Sequence, residues 1–147
     1  MYREVFIRDM SQLGSRVSGE LNKSSNSSPL EAVIESSFED NPYFTPDMQR
    51  FALNSIASKM LQERELREWL GKYNDQISEK DFVAGIIMAG NIPAAGFHDL
   101  LAGLAAGFNC AIKLSRRDKY IIPYLITILT EINPYWDSRI SVIENVS

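Results

Sequence analysis

Apolar residues recur at helical spacing over the first half of the chain and gather into short runs over the second. Phe6, Met10, Leu13, Val17 and Leu21 fall on one side of a helix. The polar run NKSSNSS at 22–28 has no apolar side chain to bury and reads as a mobile loop. SPLE at 28–31 opens a second helix, with Ser28 as N-cap, Pro29 at the first helical position and Glu31 completing a capping box. Leu30, Val33, Ile34 and Phe38 line its inner face until Asn41-Pro42 stops it. FTPDMQRF repeats the device: Thr45 caps, Pro46 opens, and Asp47 suits the positive end of the helix dipole. Leu53, Ile56, Ala57, Met60 and Leu61 form its buried side. In ERELREWL the pairs Glu63/Arg67 and Arg64/Glu68 sit four apart, as on a solvated helical surface.

The pattern changes at residue 82. FVAGIIMAG (82–90) is too short for a typical helix and reads as a strand buried on both faces. PAAGFHDLLAGLAAG (93–107) predicts a helix of small and apolar residues closed by Gly107. NCAIKL is a second buried strand, and DKYIIPYLITILTEI a second helix with Pro123 near its first turn. After NPYWDS, where Tyr135 and Trp136 are expected to pack the edge of the sheet, RISVIE is a third strand. The expected fold class is therefore α/β: a helical N-terminal region, 1–80, then a β-α-β-α-β parallel unit, 81–147. Its crossovers should be right-handed.

A chain of 147 residues can bury a real core, and 45% apolar with 23% charged residues is ordinary for a globular protein. The net charge of −4 gives no electrostatic footprint for nucleic acid. No run of about 20 apolar residues is present, so no membrane span is expected. One cysteine cannot form an internal disulfide, and no signal peptide is evident, which favours a reducing cytoplasm. One histidine and one cysteine leave no zinc cluster. MAGNIPAAG lacks the Lys-Ser/Thr ending of a P-loop.

Candidate chemistry collects where the first strand runs out. Asn91 lies between Gly90 and Pro93, where a loop asparagine could simply cap the next helix. The order MAGNIP (88–93), LAAG (104–107) and IKLS (112–115) resembles the opening of the coenzyme domain in the aldehyde dehydrogenase superfamily. With NPYFTPDMQRFALNSIASKM (41–60) and GNIPAAGFHD (90–99), the chain over roughly 30–132 resembles acyl-CoA reductases related to the long-chain fatty acyl-CoA reductase of bacterial bioluminescence.

The resemblance implies a Rossmann-like, aldehyde dehydrogenase-type half-domain and an acyl-CoA substrate reduced to an aldehyde through a cysteine acyl-enzyme. Asn91 would be the oxyanion donor. Lys113 would contact the adenosine ribose or phosphate of the cofactor, with Ser115 and Arg116 assisting. Arg116 stands where NAD-preferring relatives carry an acid, which favours NADPH, since arginine pairs with a 2′-phosphate. Cys110 is not the family's nucleophile and reads as a small buried hydrophobe. The pyrophosphate turn and the general base have no counterpart here, so the chain reads as the N-terminal portion of such a reductase, inactive alone. His98-Asp99 are adjacent on a helix and point apart, which argues against an acid/base pair. A competing reading is a non-catalytic module whose open sheet edge is covered by a second copy or another subunit.

Overall fold

The computed structural model describes residues 1–23, 28–73 and 77–144. The middle of the loop expected at 22–28 lies outside the described residues. The helical half comprises α1 (Tyr2–Leu21), α2 (Pro29–Asp40), α3 (Pro46–Ser55) and α4 (Glu63–Leu70), with a π-helical turn at Ile56–Met60. It is followed by β1 (Val83–Ile87), α5 (Phe97–Ala105), β2 (Asn109–Lys113), α6 (Ile121–Ile132) and β3 (Ile140–Val142). The strands form one parallel sheet in the order β1-β2-β3. Among the described residues no helix is long and apolar enough to cross a membrane.

Local signals set most of the boundaries. Ser28 Oγ accepts from Glu31 N–H at 3.3 Å and Thr45 Oγ1 from Met48 N–H at 3.2 Å. Each satisfies a donor that a helix start leaves free. The capping box at Ser28 is only half made, because the Glu31 carboxylate turns instead to Arg50, at 2.7 and 3.0 Å. A two-pronged guanidinium is the stronger partner for a carboxylate, and it holds the Glu31 carboxyl below its ordinary range. Glu63 pairs with Arg67 as expected, at 2.9 Å, while Arg67 also reaches Glu4 at 3.1 Å. The Arg64/Glu68 pair does not form.

Helix α5 ends as expected on Gly107, whose φ of +92° is the left-handed turn of a Schellman cap. Gly107 N–H bonds Leu104 O at 3.0 Å and Phe108 N–H bonds Gly103 O at 3.1 Å. A Cβ at 107 would also overlap the Ser78 carbonyl.

Helix α1 is the hub of the core. Phe6, Ile7, Met10, Leu13 and Val17 are all buried and pack in one cluster with Leu53, Leu66, Leu104, Leu125 and Trp136. The approach to the π turn is close: a Cβ at Gly14 would lie 2.8 Å from Leu61 Cβ. Trp136 packs edge-on against Tyr2 and Phe6 of α1 and donates from Nε1 to Asp9 Oδ2 at 2.8 Å. It joins the sheet to the first helix rather than simply capping a sheet edge.

The sheet carries helices on one face. A Cβ at Gly103 of α5 would meet Cys110 Sγ and Ile86 Cδ1, so α5 lies over that side. α6 packs beside it, since Leu100, Leu101, Leu125 and Leu129 line one tight internal cleft. Register places Val83, Gly85 and Ile87 with Asn109, Ala111, Lys113 and Ser141 on the opposite face. That face is bare: Val83 is 65% and Ile87 71% exposed. The expectation that 82–90 is buried on both faces is therefore corrected. An apolar run fits a strand covered twice, but here only one covering layer exists among the described residues.

Candidate functional site

In open parallel sheets the space beyond the carboxyl ends of the strands is where ligands bind. Here two loops meet at those ends. Met88 N–H bonds Lys113 O at 3.0 Å as β1 and β2 finish together. Gly90 then runs so close to the loop after β2 that a Cβ would overlap the Ser115 hydroxyl and lie 3.2 Å from Arg117 Cβ. Glycine is needed at 90 for this approach.

Beyond Gly90 the chain turns sharply through 93–96 before α5 begins at Phe97, later than the proline had suggested. Ala94 has a φ of +58°, the left-handed region, and no other non-glycine residue among those described does so. For a residue with a Cβ this costs about 1–2 kcal/mol. Two interactions hold the turn. Gly96 lies against Met88, where a Cβ would be 2.6 Å from Met88 Sδ. The Ala94 N–H donates to Asp118 Oδ2 at 2.6 Å, with Asp118 only 4% exposed. Asp118 itself closes a turn by donating from its backbone to Ser115 O at 3.2 Å.

The predicted residues fall around this junction. Asn91 is exposed at the tip of the loop, and its amide makes no hydrogen bond among the described residues. Lys113 ends β2 half-buried on the bare face, and Arg116 is exposed in the following turn; neither forms an ion pair among the described residues. Ser115 Oγ accepts from Arg117 N–H at 3.1 Å. The loop is further tied to α2 by Asn41 Nδ2 donating to Arg117 O at 3.0 Å and by Lys119 with Asp40 at 3.5 Å. The strand ends thus bring Asn91 and the Lys113–Arg116 segment to one end of the sheet.

Lys113, Arg116 and Arg117 bring three cationic side chains to this end of the sheet, the charge that a phosphate group would need. A pyrophosphate is not provided for in the same way. Gly90 and Gly96 are both filled by close packing, against Ser115 and Met88, so neither opens the backbone into an anion cradle. Cys110 is buried, and burial pushes its thiol up to about 11. It is a small buried residue packed under Gly103 of α5, as read from its place at the start of the second strand. His98 and Asp99 are both exposed on α5, with His98 6.2 Å from the Trp69 ring. No cluster of three or more metal-ligating side chains exists among the described residues.

A groove of about 580 Å³ opens between α3, the π turn and the 92–95 turn that follows Asn91 in the chain. Its lining is almost wholly apolar and includes Met48, Phe51, Ile56, Met60, Ile92 and Pro93. Phe51 and Ile92 are 74% and 55% exposed. The size lies within the range of about 300–1,000 Å³ usual for small-molecule sites. π-helical turns are frequently found at functional sites.

Asp118 and Ala94 were not legible as site residues. Asp118 lies in the polar run SRRDK, whose composition reads as solvated loop. Burial pushes its carboxyl above the ordinary range, with the Ala94 N–H acting in the opposite direction. A carboxyl raised on folding contributes stability that is full below its unfolded pKa of about 3.9. That contribution is lost as pH rises through the folded value. As pH rises from below about 4, thermal melts of Asp118→Asn should therefore lack one component of falling stability that the parent protein shows.

Compared with models of known families, with curated proteins and with solved structures, the chain matches none.

Proposed function

We propose that this chain belongs to an NADPH-dependent acyl-CoA reductase of the aldehyde dehydrogenase type, and that it supplies the oxyanion donor and part of the cofactor contact. The observation that carries the reading is the junction of the strand ends. There Asn91, whose amide has no hydrogen bond among the described residues, directly precedes Ile92 and Pro93 of an apolar groove suited to an alkyl chain, and the β2 loop adds a cationic turn. The Asn91 amide donates to the thioester carbonyl oxygen as that oxygen gains charge, and Met48, Phe51 and Ile92 cover the acyl chain. Lys113 and Arg116 hold the phosphate and ribose end of the cofactor, and Ser115 supports the turn. NADPH, when bound, supplies the hydride. Cys110 is buried and burial raises its thiol pKa, so the reading gives it no nucleophilic role.

Cofactor titration tests the assignment. The chain should bind NADPH weakly and NADH more weakly still. Arg116→Ala should reduce NADPH affinity by about tenfold, the lower end for a lost charge-assisted hydrogen bond because Arg116 is solvated. NADH binding should not change. Equal binding of the two cofactors by the parent chain would remove Arg116 from the site.

A second reading draws on the bare sheet face: a non-catalytic module whose exposed Val83 and Ile87 are covered by another copy or subunit. It predicts no cofactor binding and a change in oligomeric state with concentration.

A further inference from the structure

Two buried carboxyls, Glu20 and Asp118, meet no cation among the described residues, but Glu20 has both oxygens hydrogen-bonded by Tyr124 and Leu30, whereas Asp118 keeps one oxygen without a partner. Arg116 and Arg117 flank it in the same turn without bridging to it, and Lys119 pairs with Asp40 instead. Its Oδ1 is sealed from solvent with no hydrogen-bond partner among the described residues. The other oxygen accepts from the Ala94 backbone N–H. A carboxylate withdrawn from water for one peptide N–H is a costly arrangement unless it fixes something. What it fixes is a residue in the left-handed region, where alanine does not rest by preference.

That turn is the segment that aims Asn91. Asn91 is followed by Ile92 and Pro93, then by Ala94, whose carbonyl accepts from Phe97 N–H at 3.0 Å to start α5. Ala95 N–H bonds back to Ile92 O at 3.3 Å. The loop therefore has short internal ties and one long-range tie from its centre, which crosses to the β2 loop. Because Gly90 and Ser115 already press the two loops together at one end, the Asp118–Ala94 bond is the second point of attachment. Two points fix a loop's orientation where one leaves it free to swing.

We propose that Asp118 is a positioning residue: through Ala94 it fixes the turn that presents Asn91 to the reacting carbonyl. The proposal rests on the role given to Asn91 above. Asp118 touches no substrate and acts only through the backbone.

Two readouts separate the positioning role from the Asn91 role. Amide hydrogen exchange at Ala94, Ala95 and Phe97 is measured in the 147-residue chain, with Ile112 in the central strand as reference. Turnover and KM are measured in the complete reductase. Asp118→Ala should speed exchange at the three turn amides by about tenfold or more while leaving Ile112 unchanged, as a local opening does. It should lower kcat by about tenfold or more with KM for acyl-CoA retained, as misplacement of a reacting group does. Asp118→Asn, which keeps one acceptor oxygen for Ala94 N–H, should restore most of both. If Asp118→Ala fails to fold, the pair Asp118→Ala/Ala94→Gly takes its place, because glycine accepts the left-handed turn without strain; with the Asp118 tie gone, exchange at the turn should still rise above that of the parent and kcat should still fall.

Unchanged exchange at the turn in Asp118→Ala overturns the proposal whatever Asn91 does. Faster exchange with normal kcat, while Asn91→Ala is impaired, overturns positioning and leaves the oxyanion role standing. Normal kcat in both variants removes the oxyanion role, and the positioning role with it.

Discussion

On the function proposed above, Asn91→Ala should lower kcat for acyl-CoA reduction by about 10²–10³-fold while leaving cofactor affinity and thermal stability almost unchanged. Removing one oxyanion donor costs about 3–4 kcal/mol of transition-state stabilisation, because the amide acts on charge that appears only as the carbonyl is attacked. Its effect therefore falls on kcat rather than on ground-state binding. The structure makes the stability control strict. Asn91 is exposed and has no hydrogen bond to lose among the described residues, so truncation should change stability by no more than about 0.5 kcal/mol. Steady-state kinetics beside a thermal melt checks both halves. Turnover within about twofold of the parent, with an unchanged melt, would take Asn91 out of the reaction.

The largest effect on stability is expected at Trp136. Its indole is fully buried, edge-on to Tyr2 and Phe6, and its Nε1 donates to Asp9 Oδ2. Trp136→Ala removes the apolar contact and leaves a cavity, a change worth about 3–5 kcal/mol. Asp9 keeps Asn133 Nδ2 at 2.7 Å and Arg8 Nε at 2.9 Å, so its carboxylate is not stranded, and the hydrogen bond adds little to the loss. For a chain of this size the melting temperature should fall by roughly 10–15 °C. Trp136→Phe, which refills most of the space, should cost less than half as much. Denaturant titration of the two variants checks the ranking; equal losses in both would mean that the Asp9 bond, which each variant removes, outweighs the packing.

The starts of α2 and α3 and the presence of β1 and β2 were legible in the sequence because their signals are local. Ser28 and Thr45 each bond an N–H three residues away, and the apolar runs 83–87 and 109–113 are bounded by their own glycines and polar residues. Which face of β1 lacks a cover was not readable, since Val83 and Ile87 are as apolar as a twice-covered strand requires. Glu31 looked like a capping partner, and only the fold of α3 against α2 brought Arg50 within reach. At the site, Gly90 and Asn91 stood out by their setting. Ala94 did not, because an alanine in a left-handed turn has no mark in composition. Asp118 needed the meeting of two loops 24 residues apart to become more than a surface acid.

The contact of Tyr2 and Phe6 with Trp136 has a bearing on how the polypeptide reaches this state. At about 5–20 residues per second, the ribosome takes roughly 6–25 seconds to bring Trp136 out after Phe6. Through that interval the hub helix lacks its farthest neighbour, and its greasy stripe must rest on α2–α4 or on a chaperone. Joining such distant stretches carries a heavy loop-closure entropy, which places the final docking of α6 and the following turn late and makes it the slow event.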